Sequence, residues 1–101
     1  MYAIAFDLDT NILQETYAAE SWRNAYSDIR RVLEQYGFER QQGSVYFGDE
    51  SVDAVRCVMA VMELAGEYDW FEPSVRDIRM LRIEEDNDLM PAVERGKDRS
   101  G

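Results

Sequence analysis

The stretch Tyr2-Ala3-Ile4-Ala5-Phe6-Asp7-Leu8-Asp9 alternates residue by residue. With a period of two, Tyr2, Ile4 and Phe6 share one face of a strand, while Ala3, Ala5, Asp7 and Asp9 share the other. Such a strand offers one large apolar face to a core. Its second face consists of small side chains that end in acids. Residues 2–9 are therefore predicted as a first strand with helices packed on one side only.

Residues 10–17 carry no sharp signal and read as a connection. Trp22, Tyr26, Ile29, Leu33 and Tyr36 then recur at alternating spacings of four and three, which predicts an amphipathic helix from Ala19 to Tyr36. Gly37 stands where a left-handed residue ends a helix. Phe38–Gln42 and Ser44–Phe47 read as two short strands around a Gln42-Gly43 turn. Ser51 is a candidate N-cap for a second helix, with Val55, Val58, Met59 and Met62 as its inward stripe and Gly66 as its close. Pro73 ends the aromatic run Tyr68-Asp69-Trp70-Phe71. A last strand over 75–84 alternates Ile78 and Met80 with Asp77, Arg79 and Leu81.

The order β-α-β-β-α-β is the split βαβ pattern of an α+β, ferredoxin-like fold: an antiparallel sheet with two helices on one face. With strand order 4-1-3-2, Tyr2, Ile4, Phe6, Val45, Phe47, Ile78 and Met80 are expected to face the helices. Ala3, Ala5, Asp7, Ser44, Tyr46, Asp77, Arg79 and Leu81 are expected on the open face. Small alanines in mid-strand suit close approach by another layer, so a homodimer through that face is the expectation. Residues 1–85 form the predicted domain. Residues 86–101 read as a polar C-terminal tail, partly disordered or packed on the partner subunit, with fraying from Gly96 onward.

A chain of 101 residues supports one domain, and 46% hydrophobic with 12% aromatic residues is ample for its core. No uncharged apolar run is long enough for a membrane span, and the N-terminus lacks the basic and apolar regions of a secretory signal. The single cysteine, Cys57, cannot form an internal disulfide, and a cytoplasmic setting fits. The chain has no histidine, which excludes serine- or cysteine-hydrolase triads and paired-histidine ribonuclease chemistry. Acid–base work must come from carboxylates, Tyr, Lys, Arg or a metal-bound water. A net charge of −10 opposes long-range attraction of a polyanion, although Arg76, Arg79 and Arg82 fall within seven residues.

Three segments carry a resemblance: Met1-Tyr2-Ala3-Ile4-Ala5-Phe6-Asp7-Leu8; Tyr36-Gly37-Phe38 with Gln42-Gly43-Ser44-Val45-Tyr46; and Trp70-Phe71 followed by Ser74-Val75-Arg76-Asp77-Ile78-Arg79. Together they resemble the virulence-associated protein D family, over positions 1 to about 85. That family is similar in fold to the small CRISPR-associated ferredoxin-like nucleases, and its members are implicated as toxin-like endoribonucleases with a preference near purines. The resemblance implies single-stranded RNA as substrate and points to Asp7, Ser44 and Asp77 as the functional residues. Arg40 departs from the family pattern, which is often aromatic there.

By topology, Asp7 ends the first strand and Asp77 begins the antiparallel fourth, so the two carboxylates are expected side by side. Clustered carboxylates suit Mg²⁺, with Asp7 as a ligand; without a metal the pair serves as an acid–base couple, and the RNA 2′-OH becomes the nucleophile. The plainer reading is that both acids solvate the strand ends or pair with Arg76 or Arg79. Asp9 shares the face of Asp7 as a weaker candidate. Ser44 either follows the turn glycine for structural reasons or contributes across a dimer, because its strand is taken as parallel to the first. Arg79 is a candidate phosphate contact and Tyr46 a candidate base-stacking residue. Arg76 is expected to point toward the helix side. The alternative function is a non-catalytic dimeric interaction module of a toxin–antitoxin type, binding a protein partner such as an antitoxin.

Overall fold

The computed structural model describes residues 1–18 and 21–100. Its first strand, β1 (Tyr2–Leu8), is the predicted one. The next element is a helix, α1 (Thr10–Thr16), where the sequence suggests only a connection. Its signal is Asp9, whose carboxylate accepts from the backbone N–H groups of Asn11 and Ile12 at 3.0 and 3.1 Å. Those donors have no partner within the helix itself, so an aspartate at this position stabilises its start.

The predicted helix over 19–36 is realised as α2 (Asn24–Gln35); Ala19 and Glu20 lie outside the described residues. Ile29 and Leu33 of its stripe are fully buried, with Trp22, Tyr26 and Tyr36 packed against the same cluster. Gly37 follows at φ +95°, a conformation that carries no steric penalty only for glycine. The hairpin is β2 (Phe38–Gln42) and β3 (Val45–Gly48), turning at Gly43 with φ +48°. A bulge between Arg40 and Gln42 interrupts their pairing.

The second long helix, α3 (Ala54–Glu67), is capped by Asp53, which accepts from the Arg56 N–H at 2.8 Å, and not by Ser51. Its buried line is Cys57, Ala60 and Leu64. The stripe expected to face inward is therefore corrected: Val55, Val58, Met59 and Met62 are all exposed. This helix is apolar over two adjacent arcs, and periodicity cannot choose between them. Close approach to the sheet favours the arc with the smaller side chains. Gly66 lies inside the helix instead of closing it.

A single turn, α4 (Phe71–Ser74), leads into β4 (Val75–Arg82). The sheet order is β2-β3-β1-β4, antiparallel throughout, with α2 and α3 over one face. This is the ferredoxin-like arrangement. A final helix, α5 (Met90–Ser100), stands where the sequence reads as a polar tail.

Pairing of β3 on β1 corrects the expected faces. Ile4 lies opposite Tyr46, and Ala3 and Ala5 lie opposite Phe47 and Val45. Tyr46 therefore belongs to the helix side, where it is 2% exposed, and Val45 and Phe47 belong to the open face. The cause is Gly48. A Cβ there would stand 2.7 Å from the Val52 Cβ, so the only β3 residue without a side chain must take the helix-facing place beneath Val52. Tyr46 shares its face by parity.

Candidate active site at the carboxylate end of the sheet

The C-terminal end of β1, the start of β3 and the start of β4 meet at one end of the sheet. Two contacts fix them. The Asp9 N–H donates to the Ser74 carbonyl at 2.7 Å, and the Phe6 N–H donates to the Ser44 carbonyl at 3.1 Å. Ser74 is fully buried, and its hydroxyl lies 3.3 Å from that of Thr16, which ties α1 to the turn before β4.

Asp7 and Asp77 are direct cross-strand partners on the open face. Side chains so placed have Cβ atoms about 4.5–5.5 Å apart, near enough for two carboxylates to act on one group. Both are well exposed, with side-chain exposures of 61% and 51%. The register shifts immediately afterwards, since Leu8 pairs with Val75 and leaves Arg76 as the extra residue of a bulge. A bulge re-aims its side chain, and here it corrects the expectation that Arg76 points to the helix side. Its Nη1 lies 3.9 Å from Asp7 Oδ2, and its Nη2 donates to Asp9 Oδ2 at 3.1 Å. Arg79 Nε donates to both oxygens of Asp77, at 3.0 and 3.2 Å.

Three carboxylates and two guanidinium groups thus gather at this end, Arg76 between Asp7 and Asp9 and Arg79 on Asp77. The Ile12 N–H, followed by the Arg76 guanidinium, holds the Asp9 carboxyl below its ordinary range. Asp9 is in consequence a structural cap and an anchor for Arg76, whereas Asp7 makes only the long contact to Arg76. Among the described residues, no group of three or more Cys, Asp or Glu side chains is close enough to hold a metal ion by itself.

Ser44 needs a correction of place. Because β1 and β3 are antiparallel, it lies at the Asp7 end of its own chain, and no second subunit is needed to bring it there. It nevertheless follows the parity of Tyr46, so it lies on the helix side while Asp7 lies on the open face. Tyr46 is buried on the helix side with its ring 6.1 Å from that of Phe6, so its ring does not stand on the open face. Beyond the β3 residues, sequence reasoning also assigned Arg76 to the wrong side. No period-two pattern reveals a bulge; the only hint is that Asp9 and Arg76 flank the two strand ends.

No helix among the described residues is long and apolar enough to cross a membrane. The family described as CRISPR associated protein Cas2 matches residues 1–90. Among curated proteins, the chain is 57% identical to an endoribonuclease VapD homolog of Helicobacter pylori, covering 92% of this chain and 96% of that protein. It is 50% identical to endoribonuclease VapD 2 of Riemerella anatipestifer, over 92% and 99% of the two chains. A second Helicobacter pylori protein, endoribonuclease VapD, is 40% identical over 92% of this chain and 98% of its own length.

Proposed function

This chain belongs to the CRISPR-associated Cas2 family, alongside the VapD endoribonucleases, and we propose that it cleaves single-stranded RNA at the Asp7–Asp77 pair. It is an endoribonuclease, a hydrolase acting on RNA. The observation that carries the catalytic assignment is the register that sets these two acids opposite each other, each beside an arginine.

In this reading Asp7 is the general base. It takes the proton of a ribose 2′-OH, the 2′ oxygen attacks the adjacent phosphorus, and the bond to the 5′ oxygen breaks. The leaving oxygen is protonated by water. Arg76 and Arg79 hold the non-bridging oxygens, for which a guanidinium fork is suited, and offset the repulsion an acidic surface exerts on phosphate. Asp77 keeps Arg79 oriented and confines the substrate on the β4 side. The donor chemistry also suits Mg²⁺, which binds through one or two carboxylates plus substrate phosphates. Asp7 and Asp77 would hold that ion, and it would supply charge neutralisation and a more acidic bound water.

The ends of the products test the step. Purified protein is incubated with a purine-containing single-stranded RNA, with Mg²⁺ and with chelator. Cyclic 2′,3′-phosphate ends are expected. Products with 5′-phosphate and 3′-OH ends that form only with Mg²⁺ would replace the 2′-OH by a metal-bound water.

The open face carries Ala5, Val45, Phe47 and Leu81, apolar and incompletely covered, which supports a homodimer through this surface. Light scattering at tens of micromolar checks it, and a strict monomer contradicts it. The alternative, a non-catalytic module that binds a protein such as an antitoxin, is supported by the net charge of −10 and the exposed α3 stripe. Loss of RNA cleavage in Asp7→Asn disfavours this alternative; cleavage that ignores the substitution favours it.

A further inference from the structure

Beside the carboxylate end, on the helix side of the sheet, lies an open cleft of about 330 Å³ between α2 and the β2–β3 hairpin. Arg30 and Arg40 flank it, Ser27 and Ser44 line it, and Tyr46 forms part of its floor. Tyr46 is 2% exposed as a residue, and among the described residues no buried side-chain nitrogen or oxygen lacks a hydrogen-bond partner.

The arginines indicate the ligand's charge. Arg40 Nε donates to the Gly43 carbonyl at 3.0 Å, which holds the guanidinium at the hairpin and leaves its terminal nitrogens free of any carboxylate among the described residues. Arg30 has only an exposed contact with Glu34 at 3.5 Å, a type of pair worth little in water. Burial raises the Tyr46 phenol, while the charges of Arg40 and Arg30 draw it down and that of Glu34 adds a smaller upward push, so two cations and one acid stand near its oxygen. Two guanidinium forks, two serines and a phenol lining one cleft suit an oxyanion with several acceptor oxygens.

We propose that this cleft binds a phosphate of the RNA strand next to the cleaved bond, with Arg30, Arg40 and Tyr46 as its contacts. The proposal rests on the ribonuclease reading and adds a substrate subsite to it. The Ser44 carbonyl accepts from Phe6, the residue before Asp7, so the cleft and the acid pair share one end of the sheet on opposite faces. A strand bound at both passes over that end. The subsite explains how a chain of charge −10 retains its substrate: the attraction is local and short-ranged.

The test uses fluorescence anisotropy with a labelled, fully 2′-O-methylated single-stranded RNA, which cannot be cleaved through a 2′-OH. Arg40→Gln and Arg30→Gln are each expected to weaken binding about tenfold and to reduce the salt slope by about 0.7 per lost phosphate contact. Tyr46→Phe keeps the ring packed and is expected to weaken binding several-fold with an unchanged melting temperature. It therefore separates recognition from folding if the hairpin tolerates neither arginine change. Wild-type binding in all three cleft variants, or no binding by the wild-type protein, overturns the proposal. Weakened cleft variants together with an inactive wild type would instead discard the ribonuclease reading and leave the cleft standing.

Discussion

Replacing Gly48 by alanine tests the β3 register that places Ser44 and Tyr46. The new Cβ would meet Val52 at 2.7 Å from its Cβ and at 2.8 and 3.0 Å from its two Cγ atoms. Real Cβ contacts are not that short, so either β3 or the approach to α3 must shift. Overpacking of this kind costs about 1–3 kcal/mol, or about 5–20 °C in melting temperature for a domain of this size. Gly66 is the internal control. Within α3 its Cβ would meet nothing within 4 Å, so Gly66→Ala is expected to stabilise by about 0.5–1 kcal/mol through helix propensity. One chemical change thus acts with opposite sign at two sites. Val52→Ala removes the two Cγ contacts but not the Cβ contact, so in the double variant Gly48→Ala is expected to cost less without becoming neutral. Urea unfolding monitored by circular dichroism measures the four variants beside wild type. A Gly48→Ala protein as stable as wild type, or effects that simply add with Val52→Ala, would refute the packing argument and the register built on it.

Three further outcomes follow from local chemistry. Asp9→Asn should melt near wild type because asparagine also caps, while Asp9→Ala should lose several degrees. The Asp9 carboxyl is held below its ordinary value of 3.8, first by the Ile12 N–H and then by Arg76, so the folded state binds its proton more weakly than the unfolded chain. Its contribution is therefore full above 3.8 and declines as pH falls through the lowered value; a melting series from pH 5 to 2 should show that decline weakened in Asp9→Asn. Cys57 is buried, and burial followed by the nearby Asp53 charge pushes its thiol up, so a disulfide-exchange reagent should leave it unmodified in the folded protein and label it fully in urea.

Much of the fold is legible because few residues carry it. Alternation in Tyr2–Leu8 fixes β1, the four-three spacing through Ile29 and Leu33 fixes the buried face of α2, and Gly37 marks its end. What remains hidden involves a choice between two acceptable patterns. Both faces of β3 carry apolar side chains, and a steric fact about Gly48 and Val52, distant from any periodicity, selects one. In α3 two apolar arcs compete, and the smaller residues Cys57 and Ala60 face inward. At the candidate site, topology alone brings Asp7 and Asp77 together, because adjacent antiparallel strands must join the end of one to the start of the other. The bulge that aims Arg76 at Asp7 and Asp9 is a local two-against-one pairing, invisible to a period-two reading.

The most direct measurement compares RNA cleavage by the wild-type protein and by Asp7→Asn, purified side by side and matched for melting temperature. Asp7 is exposed and makes only a 3.9 Å contact to Arg76, so the substitution should leave the fold intact. Cleavage is expected to fall to background in Asp7→Asn. Equal cleavage by both proteins would contradict it, and would remove the acid pair from the chemistry.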